Sequence, residues 1–159
     1  MSELLILGVG NLLLTDEGIG VHAVNFLLKN YAIPNEIEVV DGGTAGMELL
    51  TAIAQANQVI ILDAIKTGKP AGTIIHLEDD EVPTFFRTKL SPHQIGLSDI
   101  LAAVKLTGEQ PDKVTILGIE PYSIELSMEL SDIVAAQMNK FIELIVQQVN
   151  KSGFELLKI

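Results

Sequence analysis

The sequence predicts an α/β fold: a three-layer α/β/α domain on a twisted, mostly parallel mixed sheet of about five strands. Three observations carry that expectation. Short apolar runs ending in glycine or aspartate alternate with stretches of helical periodicity, the order that gives crossover connections and a parallel sheet. One connection, marked by Gly68, Pro70 and Gly72, leaves no room for a helix, so the strand after it must lie antiparallel or at an edge. The chain has 159 residues, 48% of them hydrophobic, which is enough to bury a real core in one domain spanning residues 1–159.

Taken in order, Leu4 to Val9 is a continuous apolar run closed by glycine, as expected of a strand buried on both faces. From Ile19 to Tyr31, Val24, Leu27, Leu28 and Tyr31 recur at helical spacing until Pro34 ends the pattern. Glu36 to Asp41 is the second strand, Met47 to Ala56 the second helix and Val59 to Asp63 the third strand. Thr73 to Leu77 is the strand behind the short connection. A helix over Gly96 to Thr107 and a last central strand over Val114 to Ile119 follow. Ser131 to Val149 closes the chain as one long amphipathic helix, with Val134, Met138, Phe141, Ile142, Ile145 and Val149 on one stripe.

Composition removes several function classes. Ten basic against 21 acidic residues leave a net charge of −11, which repels nucleic acid and anionic membranes and favours cations or basic partners. There is no cysteine, so disulfides, thiolate metal sites and cysteine nucleophiles are excluded. The opening MSELLILGVG has neither a basic leader nor a small-residue cleavage site, and no apolar run approaches the roughly 20 residues that span a bilayer. The expectation is a cytoplasmic enzyme or binding domain with no nucleic-acid or membrane partner.

In an open α/β sheet the ligand crevice lies beyond the carboxyl ends of the parallel strands. The residues that follow the strands are Asn11, Asp16 and Glu17, then Asp41 with the glycines of GGTAG, then Asp63, then Glu120. Acidic positions thus gather on one rim. A dinucleotide site would need a third glycine where Leu13 stands, and a phosphate would not sit beside Asp16 and Glu17. Capping of a helix start accounts for one of those two acids, and capping of a turn accounts for Asp63 taken alone. Their convergence points instead to something positive. His93, in the polar loop LSPHQIG, supplies an imidazole, whereas His22 in the first helix and His76 on the edge strand read as ordinary surface or half-buried residues. Two carboxylates and a loop histidine suit a borderline divalent ion such as zinc, iron or nickel. No GxSxG elbow and no HExxH motif offers another chemistry.

The stretches GVGNLLLTDEGIGVH, DGGTAGMELL, VIILDA and SPHQIGLSD together closely resemble the nickel-iron hydrogenase maturation endopeptidases, which trim the C-terminal extension of a hydrogenase large subunit. The resemblance runs from about Leu4 to the last helix in the same order. It implies that Glu17, Asp63 and His93 are the metal-contacting and catalytic residues. It associates Asp41, Gly42, Gly43, Thr44, Ala45 and Gly46 with substrate recognition, where glycines let a substrate strand approach the backbone. The same resemblance implies a nickel ion supplied by the large-subunit precursor and only weakly held by the free enzyme. Cleavage would fall after the last metal-binding cysteine of the substrate, on the carboxyl side of a basic residue. Asp16 and Asp41 stand as candidates for a general base. Two rival readings use the same residues: a non-catalytic nickel metallochaperone for hydrogenase assembly, and a nucleotide-binding regulator.

Overall fold

A computed structural model describes residues 3–45, 47–79, 81–82, 101–106, 108 and 110–159. Strand β1 (Leu4–Val9) lies inside the sheet and is buried along its whole length. A 3-10 turn, η1 (Thr15–Gly18), leads into helix α1 (Ile19–Asn30). Strands β2 (Tyr31–Ala32) and β3 (Ile37–Gly43) follow, then a 3-10 turn at Met47–Leu49 and helix α2 (Leu50–Ala54). Strands β4 (Gln58–Ala64), β5 (Ile74–Glu78) and β6 (Lys113–Ile119) complete the main sheet. Helices α3 (Asp132–Ala135) and α4 (Met138–Lys151) precede the two-residue strand β7 (Leu157–Lys158). Residues 101–106 are also helical; the rest of the helix expected over Gly96 to Thr107 lies outside the described residues, apart from Gly108 just beyond it.

The main sheet has the order β3-β1-β4-β6-β5. Neighbours are parallel throughout, except that β5 runs antiparallel to β6 at the edge, as the short glycine and proline connection requires. Side chains alternate across the sheet, so each face carries its own core. On one face Leu4, Ile6, Ile60 and Leu62 meet Ile19, Val24, Phe141 and Ile145 from α1 and α4. On the other, Leu5, Leu7, Val59 and Ile61 meet Ile53 and Val104. Three layers result, with a mixed five-stranded sheet in the middle.

Glycine sets how closely α1 sits on the sheet. A Cβ on Gly20 would lie 2.1 Å from the carbonyl oxygen of Leu62, and one on Gly8 would lie 2.3 Å from that of Gly20. The backbone of α1 therefore rests directly on β1 and β4, and η1 is carried to the carboxyl ends of those strands.

Two features depart from the expected elements. The closing helix is broken: Gln137 donates to Val134 three residues back, a 3-10 step that separates α3 from α4 while Val134, Phe141, Ile142, Ile145 and Val149 all stay buried. The small antiparallel ribbon of β2 and β7 was not expected; it ties the end of the chain to the end of α1, with Ile159 donating to the carbonyl of Asn30 at 2.9 Å. No described helix is long and apolar enough to cross a membrane.

Candidate active site

The chain leaves β1 towards β3 on one side and returns to β4 on the other, so the carboxyl ends of β1 and β4 flank the topological switch point. Gly10, the first residue past β1, takes φ +128°. A Cβ there would come within 1.9 Å of the Glu17 carbonyl oxygen and 3.7 Å of Asp63 Oδ1. Glu17 on η1 and Asp63 on β4 are 46 positions apart in sequence, and the backbone of the first and the carboxylate of the second both lie beside this one glycine. The distance is bridged by the fold alone.

Asp63 is buried, and its Oδ1 accepts from the following amide, Ala64 N, at 2.8 Å. That bond fixes the carboxylate's orientation at the strand end. Glu17 is half-buried at the rim, and its amide donates to the carbonyl of Leu14 at 3.1 Å, which closes the 3-10 turn. His93 and Gly46 lie outside the described residues. Among the described residues no group of three or more His, Asp or Glu side chains is placed to hold a metal ion.

The other rim acids have structural occupations. Asp16 is fully buried and accepts four hydrogen bonds, from the amides of Tyr122, Ser123 and Ser131 and from the Ser131 hydroxyl, at 2.8 to 2.9 Å. A carboxylate committed in this way is poorly placed to take a proton from water, so the structure disfavours Asp16 as a general base. Glu120 is also buried; both of its oxygens accept from Thr67 N, which closes the loop after β4. Sequence reasoning found no role for Glu120 or Tyr122, because their partners lie 53 and 106 positions away.

Asp41 is exposed and its Oδ1 accepts from Gly43 N at 3.0 Å, so it caps its own turn. Gly43, at φ +49°, accepts from Gly10 N at 2.8 Å, and this bond sets the start of the stretch from Asp41 to Ala45 beside the end of β1. Gly42 is buried, whereas Thr44 and Ala45 are exposed next to the rim. His22 is half-buried in α1. Its Nε2 has no hydrogen-bond partner, and burial holds its pKa below the ordinary 6.5 despite an opposing hydrogen bond to the Met128 carbonyl. His76 is on the surface, 3.0 Å from Glu78. A cleft of about 280 Å³ lined by Val82, Leu101, Lys105 and Val114 opens at the amino end of β6, on the opposite rim from Asp63.

With this geometry in view, the chain was compared with known proteins. Residues 21–148 match the profile of the hydrogenase maturation proteases. The hydrogenase 2 maturation protease of Escherichia coli strain K12 is 46% identical over 156 residues, covering 98% of this chain and 95% of that protein. The solved structure of the hydrogenase maturating endopeptidase HybD from E. coli superimposes with a TM-score of 0.94 at 45% identity, over 99% of this chain and 98% of the other. A [NiFe] hydrogenase maturation protease, HybD from Thermococcus kodakarensis, is 27% identical with a TM-score of 0.77 over 93% and 99% of the two chains. An α/β domain with its acidic rim at the switch point is therefore a peptidase fold in this case. The chain belongs to the hydrogenase maturation protease family.

Proposed function

We propose that this protein is a cytoplasmic endopeptidase that removes the C-terminal extension from the nickel-loaded large-subunit precursor of a nickel-iron hydrogenase. The observation that carries the reading is the approach of the Glu17 backbone and the Asp63 carboxylate to Gly10, on the rim where ligands of such sheets bind. Nickel belongs to the substrate. Glu17, Asp63 and His93 are the residues that would contact it, an N/O donor set suited to a borderline divalent ion. Three ligands drawn from separate loops supply part of a coordination shell, so productive engagement needs the precursor's own ligands to supply the rest. The metal then serves as the recognition element that reports a correctly loaded substrate. Asp41 to Gly46, with Gly42 and Gly43 beside the rim, is the stretch against which the substrate strand would lie.

The test is a paired cleavage assay on precursor purified without nickel and on the same precursor after nickel insertion, with metal content verified. Cleavage of the loaded form alone is expected, and Glu17→Gln, Asp63→Asn and His93→Ala should each abolish it. Equal rates on both forms would sink the recognition role. Nickel transfer with the precursor's length unchanged would favour the metallochaperone reading instead.

A further inference from the structure

Residues 122–130, YSIELSMEL, pass beside η1 as an irregular segment with bends at Tyr122, Glu125, Leu126, Met128 and Glu129 and one bridge between Ser127 and Leu14. Asp16 N donates to Ser123 O at 3.1 Å, Thr15 N to Ser127 O at 2.9 Å and Ser127 N to Leu13 O at 2.9 Å, while the Thr15 hydroxyl donates to Glu125 O. Ser123, Glu125 and Ser127 thus turn backbone groups towards η1 and Leu13, and so do Tyr122 through its amide, held by Asp16, and Met128 through its carbonyl, held by His22. Ile124 and Leu126 face the other way: among the described residues, no hydrogen bond uses the N–H or C=O of either. The even-numbered side chains are apolar and solvent-facing, with Tyr122 65%, Ile124 52%, Leu126 83% and Met128 59% exposed, and Leu13 on the neighbouring segment 52% exposed.

Open backbone groups at Ile124 and Leu126 beside a row of exposed apolar side chains leave this edge able to take up an apolar segment of a partner. Large apolar groups gathered this way on a soluble surface mark an interaction site. We propose that the apolar edge formed by residues 122–128 docks an apolar segment, flanked by basic residues, of the hydrogenase large-subunit precursor. This rests on the function proposed above. Continuity with the candidate site selects the precursor, because Asp16, which holds the amides of Tyr122 and Ser123, immediately precedes Glu17. Charge argues against a second copy of this chain: exposed Glu125 and Glu129 interleave the apolar row, and two molecules of net charge −11 would bring those acids together.

The test uses the full chain with Leu126→Asp, at a position so exposed that folding should be untouched, and Ile124→Asp/Leu126→Asp as a second variant. Binding to immobilised nickel-loaded precursor is measured in the cold, and KM and kcat are determined separately. Affinity should fall and KM rise about tenfold or more, as for loss of an interface anchor, with kcat within about twofold of wild type. Unchanged affinity and KM in both variants would overturn the docking edge. So would a wild-type dimer that dissociates on Leu126→Asp while KM stays the same. A wild-type protein that binds the loaded precursor without cutting it would defeat the proteolytic reading, and weaker binding by the variants would still support the edge.

Discussion

At the scale of single residues, adjacent acids have opposite fates. Asp16 and Glu17 are indistinguishable in sequence as a pair of carboxylates ahead of a helix, yet Asp16 is fully buried in a ring of four donors and Glu17 stands at the rim. Asp16→Asn would replace one acceptor oxygen with a donor facing other donors. The expected cost is about 3 kcal/mol, since hydrogen bonds to a buried charge are each worth roughly 1.5–3 kcal/mol and relaxation recovers part. At about 2–4 °C per kcal/mol for a chain of this size, melting should fall by on the order of 10 °C. Glu17→Gln should leave the melting temperature nearly unchanged while cleavage disappears. Calorimetry on the two variants separates the roles, and a stable Asp16→Asn protein would show that the ring of donors is dispensable. His22 adds a pH dependence. Its folded pKa lies below 6.5, so the unfolded chain binds more protons as pH falls through 6.5. The neutral ring's contribution is complete above that value and declines below it. His22→Gln should therefore flatten the loss of stability between pH 7 and 5.5, read from melting curves of both proteins across that range.

At the scale of elements, the strands were legible because their residues say the same thing locally and globally. β1, β4 and β6 are apolar runs buried on both faces, and β5 was expected antiparallel or at an edge from a connection too short for a helix, and is both. Elements whose shape depends on distant contacts were less legible. The break between α3 and α4 leaves the apolar stripe intact, so periodicity shows no trace of it. The two-residue strands β2 and β7 are too short to carry any pattern, and they exist only because Leu157 and Lys158 pair with the residues that follow α1. The candidate site divides in the same way. Asp63 was visible as the end of a strand and Glu17 as the start of a helix, but the burial of Asp16 and Glu120 depends on partners far along the chain. Gly20 links these levels, because its lack of a side chain sets the seat of α1 and hence of Glu17. In Gly20→Ala the new methyl meets the carbonyl of Leu62, a backbone group with little room to yield. The variant should lose about 1–3 kcal/mol, the usual cost of overpacking, and cleavage should fall with it as η1 is lifted from β4. Full activity in a stable Gly20→Ala protein would mean that the helix seat does not set the site.

For the molecule as a whole, charge is the property that no local contact resolves. The net charge of −11 is confined on folding to a body with a radius of gyration of about 15 Å, against about 40 Å for the unfolded chain. Self-repulsion therefore opposes the folded state more than the unfolded one. Between described residues, the ion pairs are surface contacts of His76 and Lys113 with Glu78, which offset little of it. Salt shortens the reach of the repulsion, with a Debye length of about 30 Å at 0.01 M and about 10 Å at 0.1 M. Within a body of this size most of the relief should thus come at low concentration. The melting temperature is expected to rise by several degrees between about 0.01 and 0.2 M sodium chloride, since the Debye length there drops below the molecular radius. It should flatten beyond that range, and calorimetric scans at pH 7.5 across the series measure the curve. Sodium sulfate at matched ionic strength serves as a control, because strengthened burial by an excluded salt continues to raise stability past the point where screening saturates. A melting temperature that falls with sodium chloride would show that attractive pairs outweigh the net repulsion, and the excess of acidic groups would then need a reason other than tolerance of a basic partner.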